Sequence, residues 1–212
     1  MDNVLVVKLG GSSASSPDFV RWIEAVETAK GKVVVMPGGG PFANTVRRYQ
    51  HRIGYDEEAV QAMNILAMEQ FGFALKSLGT RMVTASDTAA LEAAFAADKI
   101  PVWLPAVPAF REAAIRTNPD VTSDSIAAWF AGQYANARLL LVKQLDVPAN
   151  ATVETLVHAE MVDPAFLTFL KPQTRVFLAG PNDIALAGKR FSEGAVPGRE
   201  LRRAGDLLNA AE

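Results

Sequence analysis

Val4-Leu5-Val6-Val7-Lys8-Leu9-Gly10-Gly11-Ser12-Ser13 opens the chain with an apolar run broken by one lysine and closed by two glycines. Such a run predicts a strand over residues 4–9 covered on both faces, as in a parallel sheet. The same pattern returns at Val33-Val34-Val35-Met36-Pro37-Gly38-Gly39-Gly40-Pro41. Between them, Ser16-Pro17 offers a capping hydroxyl and a first-turn proline, Phe19, Ile23 and Val26 recur at helical spacing, and Gly31 stops the helix. A second helix over 41–50 follows the triple glycine. Strand, helix, strand, helix is the order of parallel strands joined by crossover helices, and it places the chain in the α/β class.

The pattern continues downstream. Asp56 reads as the N-cap of a long helix reaching residue 78, with Glu57 and Glu58 at its positive end and Gly79 after it. That helix is apolar nearly all round, so it is expected to be buried on more than one side or to meet a second subunit. A strand over 81–84, a helix over Thr88–Ala96, a strand over 102–104, a helix from about residue 123 to 135 and a strand over Arg138–Val142 follow. A short helix over 166–170 and a strand over 175–178 complete the reading. The 212 residues suit a single domain spanning 1–212.

Composition excludes several functions. A net charge of −2 lacks the basic footprint of a nucleic-acid binder. The chain has no cysteine, which removes disulfides and thiolate metal sites, and its two histidines, His51 and His158, fit no familiar metal spacing. No segment reads as a leader or a membrane span, so a cytoplasmic protein is expected.

The chemistry concentrates at the carboxyl ends of strands, where open α/β sheets bind ligands. Glycine loops let a ligand approach the backbone, and successive N–H groups converge on an anion. Gly10, Gly11 and Ser12 in the first loop, with Gly38, Gly39 and Gly40 in the second, are therefore the candidate phosphate cradle. Lys8 sits at its edge. A lysine in a buried strand needs a partner or a task, and an ammonium there can stabilise a phosphoryl group in transit. Lys143 ends the strand Arg138–Val142 in the same way, and Asp124 lies in the first helical turn of Thr122-Ser123-Asp124-Ser125. Two lysines and an aspartate fit phosphoryl transfer, which rests on positioning and charge neutralisation. Arg47 is the candidate clamp for an acceptor phosphate. The lysine precedes the glycines, so this is no Walker motif. Gly38-Gly39-Gly40-Pro41-Phe42-Ala43 fits a dinucleotide fingerprint, but its acidic partner, Asp56, starts a helix instead of ending a strand.

Val7-Lys8-Leu9-Gly10-Gly11-Ser12, Pro37-Gly38-Gly39-Gly40, Thr122-Ser123-Asp124-Ser125-Ile126-Ala127 and the strand ending at Lys143 together resemble the amino acid kinase family. The resemblance implies a three-layer α/β/α sandwich around a mainly parallel sheet. ATP with Mg²⁺ would bind at its carboxyl edge and the acceptor over the N-terminal half. It further implies that Gly10, Gly11 and Gly39 hold the transferring phosphoryl group while Asp124 organises the lysines. Pro37-Gly38-Gly39-Gly40-Pro41-Phe42-Ala43 with Val46-Arg47, then Ala62-Met63 and Ile65-Leu66-Ala67-Met68-Glu69-Gln70-Phe71-Gly72, resemble a short branch, the aminomethylfuran-methyl phosphate kinases of methanofuran biosynthesis. On that likeness Arg47, Phe42, Gln61 and Ser123 surround a phosphorylated acceptor, and Lys143, Asp146 and Gly180 contact the nucleotide. A homo-oligomer is expected, with no nucleic-acid or membrane partner and no directly ligated metal. Gln61 stands where that branch has a histidine, and Gln144 and Val147 where many members have aspartate and glycine. The late Gly-Gly-Met-x-x-Lys segment is missing, which makes Lys143 the candidate replacement for its lysine. Two alternatives stay open: a nucleotide- or oxyanion-binding protein of the same fold without turnover, and a dinucleotide-dependent enzyme.

Overall fold

The computed structural model describes residues 2–146, 148 and 151–205, with the backbone only at 12 and 13; Val147 lies outside the described residues. In chain order the elements are β1 (Leu5–Leu9), α1 (Asp18–Glu27), β2 (Val33–Pro37), α2 (Gly40–Ile53), α3 (Glu57–Leu78), β3 (Met82–Ala85), α4 (Thr88–Ala96) and β4 (Ile100–Trp103). Then come α5 (Ala106–Arg111), α6 (Ala113–Arg116), α7 (Ser123–Ala131), β5 (Arg138–Val142), α8 (Val153–His158), α9 (Phe166–Phe169), β6 (Arg175–Ala179), α10 (Ile184–Ser192) and β7 (Arg199–Leu201).

The strands form one sheet in the order β3-β4-β2-β1-β5-β6-β7, parallel throughout except for β7, which runs antiparallel to β6. β1 lies between β2 and β5, with Lys8 paired in register with Met36 on one side and Leu141 on the other. Both faces of the sheet are covered. Val4, Val6, Met36, Leu139 and Leu141 pack into one core with α7, α8 and α9; Leu5, Val7, Val35, Leu140 and Val142 pack into the other with α1 and α10. This alternation explains the unbroken apolar runs, since neighbouring residues of a strand face opposite, equally dry layers. The result is the expected α/β/α sandwich.

Asp56 caps α3 as expected, accepting from the Ala59 N–H at 2.8 Å. At α1 the expectation shifts by one residue: Pro17 is the N-cap and Ser16 Oγ accepts from the Asp18 N–H at 3.2 Å, while the helix ends at Glu27 with Thr28 as its cap, ahead of Gly31. The long helix α3 departs from the expectation in part. Ile65 and Met68 join one core and Phe71 and Leu75 the other, whereas Leu66, Phe73 and Leu78 face outward, Phe73 being 56% exposed. Helices α5, α6, α8 and α10 and the strand β7 are additions that the sequence pattern did not delimit.

The two glycine loops pack backbone against backbone. The Gly38 N–H donates to the Leu9 carbonyl at 2.8 Å. A Cβ on Gly11 would lie 2.3 Å from the Gly40 nitrogen, and one on Gly38 would lie 2.6 Å from the Gly11 nitrogen. Gly40 has φ +58°, and a Cβ there would press on the Phe71 ring at 2.7 Å. The glycines thus bring the carboxyl ends of β1 and β2 closer than any side chain allows. Gly11→Ala is expected to force the loops apart and destabilise the fold by about 1–3 kcal/mol, the range of overpacking in a filled site. Urea denaturation measures this, and an unchanged midpoint would contradict the packing described.

Candidate active site

The chain reverses its direction of travel across the sheet at β1 and β5. From β1 it proceeds through α1 to β2 on one side; from β5 it proceeds through α8 and α9 to β6 on the other. A crevice opens beyond the carboxyl ends at such a switch point. Lys8 enters it from β1, and Lys143 stands one residue past the end of β5, where its N–H donates to the Ala179 carbonyl. Asp124 enters from the first turn of α7.

These three side chains meet. Lys8 Nζ lies 2.8 Å from Asp124 Oδ1, and Lys143 Nζ donates to both carboxylate oxygens at 3.0 and 2.9 Å. Lys8 and Asp124 are 5% and 6% exposed, so the pairs are withdrawn from solvent. Burial alone would raise the Asp124 carboxyl, but the two ammonium groups outweigh it and hold that carboxyl below its ordinary range. Burial, reinforced by repulsion from Lys8, brings Lys143 down to about 8 against the opposing pull of Asp124.

A second buried carboxylate holds the helix that carries the first. Asp163, 8% exposed, accepts from the Thr122 N–H and Oγ1–H at 3.2 and 2.7 Å, from the Ser125 N–H at 3.0 Å, and from the Ser125 hydroxyl. It satisfies donors at the α7 N-terminus and fixes the turn bearing Asp124. The sequence reading missed it. Its only local signal is an acid in the apolar stretch Met161-Val162-Asp163-Pro164-Ala165-Phe166.

Two hollows flank the cluster and share Thr122 and Ser123. One, of about 200 Å³, is walled by Gly11, Gly39, Gly40, Arg47, Gln61 and Asn64 with Ile65, Met68 and Ile126 behind them. Gly39 and Gly40, the cap and first residue of α2, bring their backbone to this wall. The other, of about 590 Å³, contains Lys8, Asp124, Lys143, Gln144 and Leu145 on one side and Met161, Val162 and Asp163 on the other.

The sequence candidates divide accordingly. Lys8, Asp124 and Lys143 converge, and Gly11, Gly39, Gly40, Arg47, Gln61 and Ser123 share the smaller hollow. Gly10 and Gly38 are buried behind it, and the Ser12 side chain lies outside what is described. Phe42 does not join the wall: it is 39% exposed on α2. Asp146 and Gly180 are not brought to the Lys143 hollow. Asp146 accepts from the Asn182 backbone and side-chain N–H groups at 3.0 and 2.6 Å, and a Cβ on Gly180 would meet the Asp146 Oδ1 at 2.5 Å. Gly180 serves the close packing of that loop.

The glycine loops and the buried lysine–aspartate–lysine cluster thus lie at the switch point, where open α/β sheets bind ligands. The chain belongs to the amino acid kinase family, whose profile matches residues 3–148. Among solved structures it is similar to the uridylate kinase from Archaeoglobus fulgidus, at 17% identity and TM-score 0.63 over 95% of this chain and 100% of that one. It is also similar to the UMP kinase from Bacillus anthracis, at 14% identity and TM-score 0.64 over 95% and 96%. No match is found among curated proteins. The two structures show the fold, and the family model gives the broad class, a kinase-type phosphotransferase.

The depressed Lys143 gives a pH signature in stability. Its folded value is about 8 and its ordinary value 10.5. Between these the unfolded chain holds a proton that the folded chain has released, so this residue makes stability rise with pH across the window. Urea midpoints from pH 7.5 to 10.5 are expected to rise more in the wild type than in Lys143→Met. Parallel pH profiles for the two proteins would contradict the shift.

Proposed function

We propose that the chain is an ATP-dependent kinase that transfers a phosphoryl group to a small phosphate monoester, yielding a diphosphate. The observation that carries this reading is the Lys8–Asp124–Lys143 cluster lying between two hollows of unequal size. The smaller is below the roughly 300–1,000 Å³ usual for ligand pockets and suits a compact acceptor. The larger suits a nucleotide. Arg47 and the first turn of α2 supply a guanidinium fork and backbone donors for the acceptor phosphate. The two similar structures are kinases named for uridylate, itself a phosphate monoester. The likeness of Pro37–Ala43 and Ile65–Gly72 to the methanofuran branch makes (5-(aminomethyl)furan-3-yl)methyl phosphate the specific acceptor proposed.

The chemistry follows from the side chains. An ionised phosphate oxygen of the acceptor attacks the γ-phosphorus, and the bond to the bridging β,γ-oxygen breaks, leaving ADP. The attacking oxygen carries no proton, so the site needs no general base. Asp124 is unsuited to that role, since both its oxygens are engaged and its carboxyl is held low. Lys8 and Lys143 neutralise charge on the transferred group, and Asp124 fixes their positions. Both buried carboxylates are committed to protein donors, and among the described residues no cluster of acidic, histidine or cysteine side chains is placed to hold a metal. The donor set therefore suits magnesium carried on the nucleotide, with MgATP as substrate. The outward Leu66, Phe73 and Leu78 on α3 are the proposed contact of a homo-oligomer.

The test is acceptor-dependent ADP release from MgATP over a panel of phosphate monoesters. Lys8→Ala is expected to fold and to lose on the order of 10²-fold or more in kcat. Nucleotide binding without turnover on any acceptor would turn the reading toward a non-catalytic binder. For Lys143, kcat/KM is expected to fall as pH rises through about 8. Lys143→Arg, which stays charged, should lack that limb. An identical alkaline limb in both would remove Lys143 from the reaction.

A further inference from the structure

Gln61 is 4% exposed, lines the smaller hollow, and has a fixed orientation. Its amide nitrogen donates to the Ile115 carbonyl at 2.9 Å and to the Val121 carbonyl at 3.1 Å. Turning the amide over would set its oxygen against two carbonyl oxygens, so the nitrogen faces inward and Oε1 is the end left for a ligand. Among the described residues none donates to that oxygen. Asn64 stands three residues further along α3, on the same helix face, in the same wall. Its Oδ1 is buried with no hydrogen-bond partner. A buried acceptor without a donor is costly, and native proteins seldom leave one unless something else completes it. The terminal torsion of asparagine is soft, so Oδ1 can turn to a donor in the hollow without leaving its rotamer.

We propose that Gln61 and Asn64 form the specificity pair of the acceptor site: two carbonyl oxygens that select an acceptor bearing a hydrogen-bond donor, an ammonium above all, in addition to its phosphate. The inference rests on the kinase reading for what the hollow holds. The polarity of the wall carries it. Arg47 and the α2 N–H groups present donors and positive charge, which suit the phosphate. Asn64 presents a buried oxygen without a partner and Gln61 a second carbonyl oxygen that no protein group donates to, which suit N–H or O–H. Gln61 also borders the neighbouring hollow that contains Glu57 and Glu58 together with Arg116, which pairs with Glu58 at 3.4 Å. An acceptor with a carboxylate there, or a purely hydrocarbon body, would leave both oxygens unpaired and is selected against.

Calorimetric titration of the full chain with three isosteric monoesters tests this: the aminomethyl-furan-methyl phosphate, its hydroxymethyl analogue, and its ethyl analogue, which lacks a donor. The wild type is expected to bind the two donor-bearing esters at least about tenfold more tightly than the ethyl ester, the effect of one hydrogen bond to an otherwise unpaired buried group. Asn64→Leu should lose most of this preference while keeping or raising its thermal midpoint, because the orphaned oxygen is gone. Asn64→Asp should widen the preference for the aminomethyl ester. Equal affinities in the wild type, failure to bind any of the three, or an Asn64→Leu variant that loses thermal stability but keeps the preference would overturn the proposal. ADP release after MgATP is added to the same samples separates the two readings. Selective binding without ADP supports the specificity pair and removes the kinase. Turnover of all three esters with equal kcat/KM supports the kinase and removes the pair.

Discussion

Asp124 engages two ammonium groups at 2.8–3.0 Å in a place that water scarcely reaches, and the rest of the site follows from that arrangement. Withdrawing three charges from solvent is expensive, and their mutual attraction offsets it only with good geometry. With all three ionised the cluster carries a net positive charge inside the protein. Burial first, and repulsion from Lys8 second, lower Lys143 against the pull of Asp124. An anion would balance that charge, and in the phosphoryl transfer proposed above the lysines would offset charge spread over the transferring group and its bridging oxygen.

The fold exists to make that meeting possible. Lys8 and Lys143 are separated by most of the chain, yet β1 and β5 are direct neighbours, so the two side chains leave adjacent strand ends. Asp124 arrives from α7, and Asp163 clamps the turn that presents it. On the other side of β1, the Gly11 and Gly38–Gly40 backbones interlock, which brings the α2 N-terminus to the same edge. Backbone donors, a guanidinium and two ammonium groups thus converge from separate elements on one crevice. Sites of this kind are precise because each member is held by packing it does not control.

Much of this was legible in the residues. The doubled apolar runs gave β1 and β2, the Asp56 cap gave α3, and Arg138–Val142 was bounded correctly because a buried parallel strand has an unmistakable composition. Lys8 and Lys143 stood out as charges in such strands, and Asp124 as an acid in a helix opening between them. Other parts carry no local signal. Asp163 acts across 38 residues on Ser125, and an acid that caps a distant helix looks in sequence like any loop acid. Asp146 and Gly180 rested on the family likeness, but they meet each other instead of the lysine hollow, a contact fixed by tertiary packing. Phe42 rested on the likeness to the short branch, yet its place on α2 leaves it 39% exposed. Helices α5, α6 and α8 are four to six residues long, too short for a hydrophobic period to declare them.

The most direct test of the central claim is a crystal structure with MgADP, aluminium fluoride and a phosphate monoester. The account places the planar fluoride, standing for the phosphoryl group in transit, between Lys8 and Lys143 and beside the Gly11 and Gly39 backbones, with Asp124 still bridging the lysines. A fluoride bound away from both ammonium groups, or a nucleotide seated outside the crevice between β1 and β5, would contradict it.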